Sequence, residues 1–325
     1  MKPKVVVVGS FVQDLTWKCA EFPRQGETII GTFVTGPGGK GSNQAVAAGR
    51  AGIPTAFIGA VGRDIFADGA AKFYESEGIG AHFVPKDGHA TGTAAILVNK
   101  AGENEIVVAL GASEHLRPRD VDTALVKGAS IVLCQHEANL AINAHVFRLA
   151  RRSGAATVLN PAPMRPDFDP KILRLTDVLI PNESEFVAIV NRMPSCTALR
   201  RTAVRGALSV SSLLRMPPGL LHRFCRALGV PTVIVTLGRR GCFVSMSNGT
   251  HESIRGHTGI KVVDTTGAGD AFVGGFAAGF VIFRGDIAAA ARHGNAVAAL
   301  SVTRFGTAPS MPAAAEVSRF RKRRG

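Results

Sequence analysis

Acidic residues are scarce in this 325-residue chain: 24 Asp and Glu against 38 Lys and Arg, a formal net charge of +14. None at all falls between Phe186 and His251, where Arg192, Arg200, Arg201, Arg205, Arg215, Arg223, Arg226, Arg239 and Arg240 accumulate. A second basic run closes the chain, Arg319-Phe320-Arg321-Lys322-Arg323-Arg324-Gly325. No zinc-finger or RNA-recognition pattern accompanies these arginines. They read as a frayed, solvated tail and a basic helix face rather than as a nucleic-acid site. Cysteine is sparse and odd in number: Cys19, Cys134, Cys196, Cys225 and Cys242, with no CxxC pair. That argues against a disulfide framework or structural zinc, and for a reducing cytoplasm. Long apolar runs are missing too. The best, Phe272 to Phe283, falls short of the ~18 residues a membrane span needs and is rich in Gly and Ala. The start, Met1-Lys2-Pro3-Lys4 and then Val5 to Val8, has too short an apolar run and no small-residue cleavage site for a secretion signal. Four consecutive valines suit a buried parallel strand instead.

What is present is a globular composition, 46% hydrophobic and 19% charged, which excludes intrinsic disorder. Glycine is plentiful, 37 residues, so several glycine-built loops are expected. Strand-like and helical segments alternate. Strands are expected at 4–9, 55–61, 130–134, 156–159, 177–181 and 232–237, and helices at 41–51, 65–76, 120–127, 140–152, 267–283 and 286–302. Alternation of this kind implies an α/β domain with a mostly parallel sheet covered on both faces. Two segments break the rule. Residues 27–35 and 93–110 read as strands joined by turns, the second turning at Ala101-Gly102-Glu103-Asn104. They suit a small β-sheet lid over a site, formed by about 15–36 and 91–110. One domain spanning 1–325 is expected, without internal repeats.

Two glycine clusters carry the chemistry. Gly36-Pro37-Gly38-Gly39-Lys40-Gly41-Ser42-Asn43-Gln44 is not a P-loop, because Gly41 follows Lys40 where Ser or Thr is required. It is a glycine turn feeding a helix, with Lys40 and Asn43 available to a polyhydroxylated small molecule. Asp264-Thr265-Thr266-Gly267-Ala268-Gly269-Asp270-Ala271-Phe272 is not a dinucleotide fingerprint, because Phe272 stands at the third glycine position. A Gly-Ala-Gly turn opening a helix offers unpaired N–H groups to an anion. Asp270, one turn in, is either a plain N-terminal helix charge or a base beside that anion hole.

Together these clusters resemble the signatures of the ribokinase-like, PfkB-type carbohydrate kinases. Asn160-Pro161-Ala162-Pro163, Pro181-Asn182-Glu183-Ser184-Glu185 and Thr236-Leu237-Gly238-Arg239-Arg240-Gly241 match between them in the family's order. The resemblance runs from about Lys4 to Pro312. It implies a three-layer α/β/α fold with a small β-sheet lid, and ATP-dependent phosphorylation of a sugar's primary hydroxyl, the 5-hydroxyl of D-ribose first. It implies Asp270 as catalytic base and the N–H groups of Gly267, Ala268 and Gly269 as anion hole. Asp14, Gly39, Lys40, Asn43, Glu137 and Asp270 fall on sugar-binding positions, with Val12 where ribose kinases often carry Asn. Asn182, Thr236, Gly238, Arg239, Gly241, Gly269 and Asn295 fall on nucleotide positions. Glu185 matches a glutamate that helps hold Mg²⁺, largely through water, while Asn182 and Glu185 also read as a capping box. Asp264, Thr266, Ser301, Arg304, Gly306 and Ser310 fall on the positions of an activating K⁺.

The alternatives are a kinase of deoxyribose, fructose, a ketogluconate or a nucleoside, and, in another class, a non-catalytic nucleic-acid-binding protein. A nucleoside kinase needs an apolar or aromatic base pocket, for which Trp17 near the lid and Tyr74 are the aromatic candidates. A homodimer through the lid strands is expected, since an uncovered β edge invites pairing. Residues 191–228 depart from the family pattern: basic, irregular and longer than usual. They are either a divergent surface excursion beside the nucleotide site or the product of a local frame change, restored by Gly229-Val230-Pro231. This segment is expected to be poorly ordered and dispensable.

Overall fold

The computed structural model describes residues 2–204 and 206–324, with the side chain of Arg324 excepted. Met1, Arg205 and Gly325, all named above, lie outside the described residues.

The valine run forms β1 (Val5–Val8), every residue buried, inside the main nine-stranded sheet. Beside it lie β4 (Thr55–Val61) and β5 (Gly80–Pro85) on one side. On the other lie β8 (Ile131–Cys134), β9 (Ala156–Leu159), β10 (Val178–Leu179) and β11 (Thr232–Thr236). All of these pair in parallel. Beyond β11 the sheet ends in an antiparallel pair, β12 (Gly241–Met246) and β13 (His251–Arg255).

Helices cover both faces. On one side are α1 (Lys40–Arg50), α2 (Ile65–Ser76), α9 (Ala268–Ile282), α10 (Ile287–Ser301) and α11 (Ala314–Arg324). On the other are α3 (Thr123–Gly128), α4 (Leu140–Arg152), α5 (Glu183–Arg192), the short α6 (Thr197–Leu199) and α7 (Val210–Leu213), and α8 (Pro218–Ala227). Two buried clusters, one per face, make the three-layer α/β/α arrangement. The Gly/Ala-rich run from Phe272 serves close helix packing. A Cβ at Gly275 would lie 2.7 Å from Val297, and one at Gly279 2.9 Å from Ala290 of the neighbouring α10. No helix among the described residues is long and apolar enough to cross a membrane.

A second sheet, in the order β3-β2-β6-β7, stands apart as the lid: β2 (Val12–Lys18), β3 (Thr32–Gly38), β6 (Gly92–Val98) and β7 (Asn104–Ala109). Strands β2 and β3 run from 12 to 38, slightly beyond the expected 15–36, whereas β6 and β7 lie within the expected 91–110. Residues 27–31 are not strand, because Arg24 and Glu27 close a turn, the Glu27 carboxylate taking the Arg24 N–H at 2.9 Å. Helix α3 starts at Thr123 rather than 120, capped by Asp122, after a 3₁₀ turn over Pro118–Asp120. Strands β2, β5, β12 and β13 were not among the sequence expectations; β5 and β13 are largely exposed and lack a clean apolar period.

Two expectations are corrected. Residues 191–228 are not a poorly ordered excursion. Cys196, Leu208, Leu213, Leu221, Phe224, Cys225 and Leu228 are 0–5% exposed and pack into the core on the α4–α5 face. Apolar residues at helical spacing in α8 drive this, with Arg223 on the outer side and Arg226 turned in to the Ser245 hydroxyl and carbonyl of β12. Nor is the basic tail frayed. It is α11, anchored by Val317 at 1% exposure and by Arg321 over the Phe283 ring. All five cysteines are free, four of them buried.

Candidate active site

Parallel strands end along one edge of the sheet, and the polar residues that follow them line it, as open α/β sheets arrange their ligand crevices. Ser10 and Glu137 follow β1 and β8, Asn160 follows β9, Asn182 follows β10, and Gly238 follows β11. Asp14 belongs to the lid: it sits within β2 rather than in a loop at the end of the first strand.

The second glycine cluster opens α9. Gly267 takes a left-handed conformation, φ 75°, as the residue preceding the helix, which a side chain would strain. The N–H groups of Gly267 and Gly269 meet no acceptor among the described residues, while that of Ala268 closes a turn to the Thr265 carbonyl at 3.2 Å. Asp270 follows in the first turn, 6% exposed. Both of its oxygens accept amide hydrogens: Oδ2 from Asn43 at 2.9 Å and Oδ1 from Gln44 at 3.0 Å. Sequence reading has Ser42 and Asn43 opening α1 as caps. In the structure the helix begins at Lys40 and its cap position is Gly39, which has no side chain to cap with, so Asn43 lies inside the first turn and its amide is turned to Asp270.

Two cavities meet here. One, about 200 Å³, is lined by Lys40, Asn182, Glu185, Thr236, Gly267, Ala268, Gly269 and Asp270. The other, about 120 Å³, lies under the lid against Val12, Asp14, Gly39, Asn43 and Glu137. Lys40, Gly267 and Asp270 border both. The carboxylate thus sits between the two cavities, with the lysine beside it. Val12, 2% exposed, joins Ala94 and Ile96 in an apolar wall of the smaller cavity.

Burial sets the electrostatics. It pushes the carboxyls of Asp270 and Glu185 above the usual carboxylate range, opposed at Asp270 by Lys40 and by the amides of Asn43 and Gln44, and at Glu185 by the Asn182 N–H and Lys40. Asp14 is pushed up to about 6 by burial, opposed by its hydrogen bond from Thr307. Burial alone would lower the pKa of Lys40. The carboxylates of Asp270, Glu137, Glu185 and Asp14 outweigh it and raise the lysine above its ordinary value. Glu137 anchors the lysine's backbone, accepting its N–H at 2.8 Å and the Ser10 hydroxyl at 2.8 Å.

Asn182 and Glu185 form the expected capping box: Asn182 Oδ1 accepts the Glu185 N–H and Glu185 Oε2 accepts the Asn182 N–H, each at 2.9 Å. The box fixes Glu185 on the wall of the larger cavity. Gly238, Arg239 and Gly241 belong to the turn between β11 and β12, with Gly238 and Arg239 exposed. Asn295 lines a separate cleft beside β13, where it holds the Arg255 carbonyl at 2.9 Å. Of the positions expected to hold a monovalent cation, Asp264 joins Thr266 and Gly306, taking their N–H groups at 2.9 and 3.0 Å. Ser301 and Ser310 turn their hydroxyls to the Ala298 and Thr307 carbonyls, and the Arg304 side chain pairs with Glu316. Of the two aromatic candidates for a base pocket, Tyr74 is fully buried against Phe57, Phe73 and Phe83, and Trp17 packs on Phe33 of the lid. Gln44, Asn160, Ser10 and Thr307 were not singled out from sequence. Gln44 and Asn160 lie inside recognised motifs; for Ser10 and Thr307 no signal was legible.

The model of the pfkB family of carbohydrate kinases matches residues 2–314. The chain belongs to that family. It is 35% identical to the ribokinase of Mus musculus over 314 residues, covering 95% of this chain and 91% of the relative. A deoxyribokinase of Salmonella typhi is 32% identical, with 97% and 98% covered. Among solved structures, the ribokinase of Giardia lamblia superposes with a TM-score of 0.86 at 32% identity, with all of both chains covered. The ribokinase of Arabidopsis thaliana, solved in complex with ribose and ATP, superposes with a TM-score of 0.82 at 28% identity, covering 98% of this chain and 99% of that one. This family member is a ribokinase-like sugar kinase, a phosphotransferase with an alcohol group as acceptor.

Proposed function

We propose that the protein transfers the γ-phosphoryl group of ATP to the 5-hydroxyl of D-ribose. The observation that carries this reading is the seat of Asp270 on the wall common to both cavities. A pentose in the smaller cavity presents its primary hydroxyl to Asp270, which accepts the proton as the oxygen attacks phosphorus. Burial raises the carboxyl's basicity, and basicity near the working pH favours a general base. Lys40 and the free N–H groups of Gly267 and Gly269 face the charge that develops on the transferring group, and the α9 N-terminus adds its dipole. Asp14, Glu137 and Asn43 orient the remaining hydroxyls. Among the relatives, the ribokinases support ribose over the deoxyribokinase alternative.

A buried carboxylate on the wall of the nucleotide cavity is a donor that fits Mg²⁺, which keeps most of its waters and takes one or two carboxylates. Glu185 would hold it, and the ion would neutralise phosphate charge. For K⁺, Asp264 already binds residues 264–266 to the 301–310 segment, and Thr307 packs 3.3 Å from where a Cβ of Gly267 would stand. A cation held by the carbonyls there would stiffen the loop supporting Gly267. The lid's exposed Trp17, Phe33, Ile106, Val107 and Val108 and its open edge strands β3 and β7 support a homodimer formed through the lid. Free, mostly buried cysteines suit a cytoplasmic enzyme.

The test is ADP release coupled to a reporter, across ribose, deoxyribose, fructose, ketogluconates and nucleosides, with and without K⁺. Ribose should give the highest kcat/KM, and K⁺ should raise it. Asp270→Asn should fold and lose ~10²–10⁴-fold of the rate. More than about a tenth of wild-type activity in that variant rejects the base.

A further inference from the structure

Behind Asp270 runs a chain of buried carboxamides, of which Asn160 reaches the wall of the larger cavity and Gln44, Gln135 and Asn143 line neither. Gln44, fully buried on α1, donates through Nε2 to Asp270 Oδ1 and to Asn160 Oδ1, each at 3.0 Å. Its Oε1 accepts from Gln135 Nε2 at 2.6 Å. The Gln135 carbonyl accepts from Asn143 of α4 at 2.8 Å, and Asn160 donates to the Ile180 carbonyl at 2.9 Å. The orientation of the Gln44 amide follows from its neighbours. Turned over, its oxygen would face a carboxylate and a carbonyl oxygen, and its NH₂ the Gln135 donor. The backbone makes room for this chain: a Cβ at Gly9 would stand 2.1 Å from Gln135 Oε1. Gln44 lines neither cavity.

We propose that Gln44 is a positioning residue for phosphoryl transfer: it aims the Asp270 carboxylate and keeps a donor on its Oδ1. The proposal rests on the reading of Asp270 as the base. Asn43 holds Oδ2, but one donor leaves the carboxylate free to turn about its χ2 torsion. The second donor, itself fixed on three sides, locks it. Both donors also favour the ionised form. The charged groups facing Asp270 are Lys40 on α1, Glu137 after β8, Glu185 on α5 and Asp14 on the lid. Gln44 is therefore one of few groups that keep the base charged among other carboxylates.

The experiment compares Gln44→Met and Gln44→Glu with the wild-type full-length chain, reading kcat, sugar KM and the pH dependence of kcat. Gln44→Met keeps the volume and removes the donor. It should lower kcat at pH 7 by ~10–100-fold, the scale of a misaimed group. Sugar KM should stay within about twofold, and the acidic limb of the profile should move up by about one pH unit. Gln44→Glu keeps the shape but donates only while protonated, so its activity should fall as pH rises where the wild-type rate is flat. Should Gln44→Met fail to fold, Gln44→Glu carries the test alone. An unmoved acidic limb in Gln44→Met, or a wild-type-shaped profile in Gln44→Glu, overturns the proposal. If Asp270→Asn is inactive at the same time, the base assignment survives that result; if Asp270→Asn stays active, the underlying reading has failed instead.

Discussion

Asp14→Asn should make the protein more stable while making it a poorer enzyme. The carboxyl of Asp14 rises from 3.8 to about 6, chiefly because β2 buries it, with Glu137 and Asp270 adding repulsion and Thr307 and Lys40 only partly offsetting them. A carboxyl whose folded pKa is raised is favoured by folding in its neutral form. Its ionisation therefore costs nothing below 3.8, a growing amount between 3.8 and 6, and the full amount above 6. At ~1.36 kcal/mol per pH unit this is about 3 kcal/mol, an upper figure because the group is not fully enclosed. Asparagine keeps the shape and an oxygen to accept the Thr307 hydroxyl, now at 2.9 Å, but carries no charge to desolvate. Urea unfolding at pH 7.5 should show a gain approaching that figure, and at about pH 4 almost none. In a chain of this size each kcal/mol moves Tm by ~2 °C, so the gain is several degrees. Sugar KM should rise at pH 7.5, since a charged acceptor for a hydroxyl becomes a neutral one. Equal stability of the two proteins at pH 7.5, or an equal gain at both pH values, would refute the argument that burial loads this site.

The folded state of residues 191–228 is tested by Phe224→Ala: a fully buried phenylalanine on α8 should cost ~3–5 kcal/mol in urea unfolding, and a cost under about 1 kcal/mol would mean the segment does not share the core. Val107→Lys, at a position 74% exposed on the lid's edge strand β7, should leave the fold intact and break the proposed lid dimer, lowering the sedimentation coefficient from that of the wild-type chain to that of a monomer; an unchanged coefficient rejects a dimer through this edge.

The framework was legible in the sequence where one physical cause dominates. Four valines leave no alternative to a buried strand, and β1 is an interior strand of the sheet with all four residues buried. The Gly-Ala-Gly turn demanded a left-handed residue before a helix, and Gly267 supplies it. The capping box of Asn182 and Glu185 reads directly from spacing. Legibility failed where two causes compete. Residues 191–228 show basic side chains and prolines, and their composition speaks of solvent. Yet the apolar face of α8, with Leu221, Phe224 and Cys225 buried, decides the outcome, because burial of a few large side chains outweighs the preferences of a solvated face. The arginine tail repeats the pattern, with Val317 and Arg321 fixing α11. At the site, sequence named the residues that reach the cavities and not those that hold them. Asn43 is a residue type that often caps helices, and only its distance to Asp270, across 227 residues of chain, shows that its amide is committed to that carboxylate. The same holds for Gln44. Its neighbours in space come from β8, β9 and α9, and no local spacing encodes an orientation that three separate strand and helix ends impose. A sequence pattern thus picks out the glycine turn and Asp270, while the geometry that holds this carboxylate is assembled from long-range hydrogen bonds.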